Sequence, residues 1–219
     1  MFTAMITAII PVKTQSERLQ AKNLRYFIDC SLYEHKLRQL KKVPFDRIVV
    51  SSESKQVLEM ANSYGYQGHY RNPKYSTPDV PMSDVYKYIA SEVIGKDIAW
   101  INVNNPLVTG DMYTKAMITW INVCHRYDSL LSAYNIQKYI WRGGKPLNFT
   151  PYPHPKSQDL EGTYAQSFAI NIRRRKDLIK EGTFASKRPF FYLLDKYVST
   201  KIDYKQDLAF CKMLWKEKY

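Results

Sequence analysis

An α/β fold in three layers, a mostly parallel sheet between helices, follows from three observations. Apolar runs rich in β-branched residues alternate with helix-like segments along nearly the whole chain. The first run, Met5 to Val12, has no turn residue before Pro11, as suits a strand buried in a parallel sheet. It opens into a polar, basic loop and then a helix, an arrangement in which loop N–H groups and cationic side chains converge on phosphate.

The elements follow in order. After the first strand and its loop, a helix is predicted over 31–42, with Leu32, Leu37 and Leu40 inward, charged residues between them, and Pro44 as its stop. Phe45 to Ser52 is a turn into a second strand. A helix over 54–64 comes next, with Ser52 or Ser54 as N-cap, Glu53 suited to a helix start and Gly65 as C-cap. This strand-helix order requires right-handed crossovers. The stretch 68–81 reads as turns, through Arg71-Asn72-Pro73 and Thr77-Pro78-Asp79. A helix over 83–94, a strand over 98–103, a long helix over 111–127 and a strand over 129–134 complete the regular part. The segment 139–156 then reads as an arm or hairpin turning at Gly143-Gly144, with Tyr139, Trp141 and Phe149 needing burial against something. A strand over 164–172, a short helix over 176–181 ending at Gly182, the stretch 192–198 and a final helix over 205–216 close the chain.

Composition bounds the partners. The 219 residues suit a single domain with an appended arm. No apolar run approaches the roughly 18 residues a membrane span needs, and the N-terminus lacks a basic, signal-like region, so the expected location is the cytoplasm. Cys30, Cys124 and Cys211 are far apart and show no metal-ligand spacing with any histidine; they read as free thiols. The net charge of +13 draws polyanions, whether nucleic acid, phospholipid or nucleoside triphosphate. The one tight basic cluster, Arg173 to Lys176, reads as a solvated helix start, and no nucleic-acid-binding motif accompanies the charge.

The chemistry centres on the first loop, which carries Lys13, Arg18 and Lys22 with Gln15 and Ser16 among them. It has no glycine and is neither a Walker A motif nor a Rossmann fingerprint. By itself it is also compatible with a solvated basic loop, in which Lys22 contributes little to stability. Pro11, Ser16, Leu19, Lys22 and Asn23 fall in register with Ile-Pro-Ala-Arg-x-x-Ser-Lys-x-Leu-x-x-Lys-Asn, and the stretch resembles the nucleotide-binding loop of the CMP-sialic acid synthetase (acylneuraminate cytidylyltransferase) family. Further pieces are similar in order: Phe45 to Ser52, Glu59 to Gly65, Arg71 with Asp79 and Ser83, Asn105-Pro106-Leu107, Lys145 to Asn148, Ser157 to Leu160, and Ile202-Asp203 with Asp207-Leu208.

The resemblance implies a Rossmann-like nucleotidyltransferase fold, with 139–156 reaching over a neighbouring subunit in a homodimer. It implies transfer of CMP from CTP to a sialic-acid-like 3-deoxy-2-ulosonic acid, with Mg²⁺. Lys13, Arg18 and Lys22 would act on the triphosphate. Gln15 and Ser16 would bind beside them, Asn23, Arg71 and Ser83 would hold the nucleoside, and Asn102 stands where a glutamine touches the acceptor sugar. Asp203 would hold the metal, while Asp207 reads as a first-turn helix acid. The chain departs from the pattern at Lys201, where an aspartate is usual, at Ser167-Phe168 in place of Asn-Gly, at Val108 and at Ser157. Lys201 and Val108 keep open a catalytically degenerate paralogue, and the net charge keeps open a basic nucleic-acid-binding module.

Overall fold

The computed structural model describes residues 5–16, 19–160 and 162–218. A seven-stranded sheet runs in the order β3-β2-β1-β4-β8-β5-β9. Its strands are β1 (Ile6–Pro11), β2 (Arg47–Ser52), β3 (Gln67–Tyr70), β4 (Asp97–Ile101), β5 (Ser129–Asn135), β8 (Tyr164–Arg174) and β9 (Pro189–Leu193). The pairs β1–β2, β1–β4, β2–β3 and β5–β9 are parallel; β8 runs antiparallel to both β4 and β5.

Helices cover both faces. One layer holds α1 (Leu32–Leu40), α2 (Lys55–Ser63), α4 (Gly110–Val123) and α6 (Lys205–Lys218), packed on Ile6, Ala8, Ile10 and Val50. The other holds α3 (Met82–Glu92) and α5 (Arg175–Glu181), whose Val85, Ile89 and Leu178 meet Ile9, Val49, Ile98 and Trp100. Successive residues of β1 therefore serve opposite cores, which is why its sequence is apolar without alternation.

Local chemistry explains the element ends. Ser31 Oγ accepts the Glu34 N–H at the start of α1. Ser54 is the N-cap residue of α2 but caps with no side-chain bond; Ser52 Oγ instead accepts the Ser54 N–H. Gly182 ends α5 at φ +65°, and a Cβ there would lie 2.7 Å from Ser83 O, so the glycine lets α5 approach α3. The arm turns at Gly143 and Gly144, both at positive φ, between β6 (Trp141–Arg142) and β7 (Lys145–Pro146). Its aromatics pack on one another: Phe149 lies edge-on to Tyr139 and Trp141, with ring centroids 5.0 and 5.2 Å apart. Trp141, Leu147 and Tyr152 remain exposed.

Several sequence expectations are corrected. The turn-rich reading of 68–81 missed β3, a short edge strand with exposed ends and no hydrophobic pattern; pairing with β2 makes it a strand. The last parallel strand spans Pro189–Leu193, ahead of the stretch noted at 192–198. The Arg173 cluster is a helix start, as expected, with Arg174 as N-cap of α5, but it is not a solvated one. Arg173 is buried and bonds Glu181 and the Thr183 and Ala185 carbonyls, Arg174 bonds Cys124 O, and Arg175 bonds Ala90 O and Ser91 O. Lys36 is not a surface cation of α1 but fully buried, its Nζ donating to Asn105 O at 2.9 Å and Tyr113 Oη at 2.6 Å. Burial pushes its ammonium well below the usual lysine range. Cys30 and Cys211 are buried free thiols and Cys124 is half-buried.

Candidate active site

The strand order reverses direction at β1: the chain steps outward through β2 and β3, then returns to β4 on the other side. Such a switch point opens a crevice beyond the carboxyl ends of the strands. A cleft of about 440 Å³ lies there. Its polar part is lined by Lys13, Ser16, Lys22, Asn23, Arg71 and Lys201, and its apolar part by Val80, Met82, Tyr86, Trp100 and Phe168. A second recess shares Lys13 and Ser16 with it and adds Thr14, Gln15 and Glu53.

The first loop is pinned without glycine. Ala21 takes the left-handed conformation (φ 50°) before the 3-10 turn Lys22–Leu24. Asn23 Nδ2 donates to Lys13 O at 3.1 Å, closing the loop on itself. Glu53, just beyond β2, accepts from Thr14 N at 2.8 Å, Thr14 Oγ1 at 2.9 Å, an Arg71 guanidinium nitrogen at 2.9 Å and Ser76 Oγ at 2.9 Å. Burial raises the Glu53 carboxyl pKa, but the Thr14 N–H, Arg71 and Ser76 outweigh it and bring it down to about 2. Arg71 also donates to Val12 O at 2.8 Å. One carboxylate therefore ties together the ends of β1, β2 and β3.

The opposite wall comes from the segment before α6. Asn104 N-δ2 donates to Ile202 O at 3.3 Å, and Ile202 N donates to Asn104 O at 2.8 Å. The buried Asn105 Nδ2 reaches the carbonyls of Ser167, Ser199 and Thr200 at 3.4, 3.2 and 3.4 Å. From below, Lys36 holds Asn105 O, and Gln39 Nε2 donates to Pro106 O at 2.6 Å. This scaffold presents Lys201 and Asp203. Asp203 accepts from Lys22 Nζ at 2.8 Å, and Lys201 Nζ lies 3.5 Å from its second oxygen. Asp207 turns inward to its own helix end, accepting the N–H groups of Asp203 and Tyr204 at 2.9 and 2.8 Å.

Of the residues expected at the site, Lys13, Ser16, Lys22, Asn23, Arg71 and Asn102 line the one cleft, and Gln15 lines the adjoining recess. Ser83 stands apart from the lining, with its carbonyl against Gly182 where α3 meets α5. Arg18 lies outside the described residues. Lys22 is not a solvated loop lysine: its side chain is 13% exposed and ion-paired. Asp203, expected to hold Mg²⁺, does not fit that task as it stands, because two ammonium groups already occupy its carboxylate. Among the described residues no group of three or more metal-ligating side chains converges. Glu53, Asn105 and Lys36 were missed from sequence. Glu53 carried a signal, an acid directly after a buried strand that ends at the cleft, but it reads equally well as a helix-start acid.

Comparison with known proteins gives a consistent picture. A family model described as cytidylyltransferase matches residues 7–217. A pseudaminic acid cytidylyltransferase of Campylobacter jejuni is 24% identical, with 95% of each chain covered. N-acylneuraminate cytidylyltransferase A of Danio rerio is 22% identical over 90% of this chain, which spans 48% of that longer protein. Among solved structures, CMP:2-keto-3-deoxy-manno-octonic acid synthetase complexed with CTP superposes with a TM-score of 0.70 at 12% identity, covering 98% of this chain and 99% of that one. A cytidylyltransferase from Leptospira borgpetersenii superposes at 0.67 with 16% identity, covering 99% and 88%. At these identities the two structures speak for the fold.

Proposed function

The chain belongs to the cytidylyltransferase family, and from that premise we propose that it transfers CMP from CTP to a sialic-acid-like 3-deoxy-2-ulosonic acid, releasing pyrophosphate. The observation that carries this reading is the convergence of Lys13, Lys22, Arg71 and Lys201 on one cleft that also holds Asn23 and Asn102. Lys13, with two lysines sharing the single Asp203 carboxylate, leaves the switch point net positive, which suits a triphosphate. The sugar-acid relatives at 22% to 24% identity support the acceptor class.

The step asks little covalent chemistry of the protein. The anomeric hydroxyl oxygen attacks the α-phosphorus, the bond from that phosphorus to the pyrophosphate oxygen breaks, and the hydroxyl proton passes to water. Charge builds on the phosphate oxygens, and fixed cations stabilise it without reorganising. Lys13 meets that charge together with Lys22 and Lys201, which share the Asp203 carboxylate, and Arg18 is a further cation of the same loop. Gln15 and Ser16 bind beside the phosphates, and Asn23 and Arg71 hold the nucleoside, a task for which Ser83, packed against α5, is out of place. No step is routed through Mg²⁺, since Asp203 is engaged by lysines. We further propose that the 219 residues form one nucleotidyltransferase domain acting in the cytoplasm, and that 139–156 is the arm of a homodimer. The exposed Trp141, Leu147 and Tyr152 support that role for the arm.

A second reading, a paralogue that binds CTP without turnover, is favoured by the lysine-bound Asp203 alone. Pyrophosphate release from CTP across a panel of sugar acids decides between them. Turnover with any acceptor supports the enzyme; CTP binding without turnover across the panel supports the paralogue. Duplex DNA bound more tightly than CTP at physiological salt would refute both, because non-specific duplex binding there is typically no tighter than about 10⁻⁶ M.

A further inference from the structure

Phe168 has a backbone conformation that its side chain disfavours. It sits at φ +57°, in the left-handed region, and with Ala21 it is one of the non-glycine residues found there. A bulky residue holds such a conformation only where its surroundings over-determine it, and such outliers gather at functional sites.

The surroundings do over-determine it. Between the pairs Leu131↔Asn171 and Ala133↔Gln166, β8 advances five residues while β5 advances two, so the chain bulges away from β5 at 167–170, with Ile170 still paired to Ile101 of β4. Ser132 Oγ on β5 accepts the Ile170 N–H at 3.0 Å and the Ser167 hydroxyl at 2.9 Å. Asn105 Nδ2 holds Ser167 O, and Asn102 Nδ2 donates to Phe168 O at 2.8 Å. The carbonyls on either side of the strained bond are thus fixed by two asparagines that follow β4. Phe168 is 36% exposed and lines the cleft with Met82 and Val80. A half-exposed phenylalanine gains little from burial in the free protein, so the bulge places its ring for a ligand rather than for the core.

We infer that Phe168 is a specificity-determining residue for the acceptor: its ring forms an apolar wall that selects a sugar acid carrying an apolar substituent, a deoxy carbon or an acyl methyl, where another acceptor would present a hydroxyl or an amine. This rests on the reading of the cleft as a CMP-transfer site. An apolar wall offers a hydroxyl no hydrogen bond, so an acceptor that buries one there loses its water without replacement.

The test compares three acceptors: N-acetylneuraminic acid, its 9-deoxy analogue, and its analogue with a hydroxyl in place of the acylamino group. CTP binding is measured alongside. The parent should prefer one of the more apolar partners by tenfold or more in kcat/KM, the scale of one apolar group in a fitted pocket. Phe168→Gly should bring that ratio to within about threefold of unity while the KM for CTP moves less than twofold. Glycine also suits φ +57°, so the melting temperature should hold or rise, which a core phenylalanine would not allow. Phe168→Asn, which tolerates the left-handed region and replaces the wall by an amide, should give the same loss of selectivity if the glycine variant folds poorly. A parent ratio near one, or a ratio that survives both substitutions, overturns the inference and leaves CMP transfer standing. No turnover with any of the three while CTP still binds refutes the acceptor class and this inference together; loss of CTP binding in the parent refutes the site itself.

Discussion

Replacing Glu53 with glutamine should loosen the whole nucleotide face. The carboxylate accepts four hydrogen bonds from Thr14, Arg71 and Ser76, and its side chain is 17% exposed. Its pKa falls from an ordinary 4.5 to about 2. That depression corresponds to at most about 3 kcal/mol, and water at the mouth of the recess screens it to about half. Glutamine keeps the length but turns an N–H2 group toward a cluster made of donors. It also leaves Arg71, 3% exposed, without its carboxylate partner. Removing one member of a buried pair adds its own penalty, so Glu53→Gln should cost about 2 to 3 kcal/mol in urea denaturation at pH 7. Because the folded pKa lies below the unfolded one, the parent holds this contribution at neutral pH and loses it as pH falls from about 4.5 through 2. The variant, having no carboxyl there, should show a flatter acid limb over that window. Thr14 adjoins Lys13, so the KM for CTP should also rise about tenfold. A cost under about 0.5 kcal/mol with an unchanged acid limb would refute the clamp.

Three other outcomes follow from the same geometry. Lys22→Ala should weaken CTP binding tenfold or more and cost about 1 kcal/mol, since Lys22 is ion-paired to Asp203 at 2.8 Å; equal CTP affinity in titration calorimetry would remove it from the triphosphate site. Lys201→Asp should weaken CTP binding without Mg²⁺ and make binding more responsive to Mg²⁺, because two carboxylates would then face the cleft; if neither Mg²⁺ nor the substitution matters, Lys201 and Asp203 are not at the phosphates. Trp141→Asp should dissociate the proposed dimer in sedimentation velocity, and a parent that is monomeric at tens of micromolar would dispose of the arm's role.

The scaffold was legible in the sequence because its signals are local. A parallel strand buried on both faces is written as an unbroken apolar run, and Gly143-Gly144 and Gly182 mark backbone turns that other residues resist. The polar machinery was not legible because its partners are distant. Glu53 looks like a helix-start acid until Thr14 and Arg71, 39 and 18 residues away, fold around it. Lys22 looks like a solvated cation until the chain returns 181 residues later with Asp203. Arg173 to Arg175 look solvated until internal carbonyls take them.

The departures from the family pattern are where sequence and structure together say more than either. In the sequence Lys201 is a carboxylate lost; in the structure it is a cation set beside the surviving one, so the charge at that position is reversed in sign and held against Asp203. In the sequence Ser167-Phe168 stands in place of Asn-Gly; in the structure Phe168 holds φ +57°, a backbone conformation that suits glycine. A chain drifting away from use would be expected to relax that bond, since extended backbone is open to phenylalanine and costs less. Here Ser132, Asn102 and Asn105 hold the bulge in place. Strain kept under so many hydrogen bonds, with an aromatic ring in the lining of the cleft, is the arrangement that the proposed selection of the acceptor by Phe168 requires.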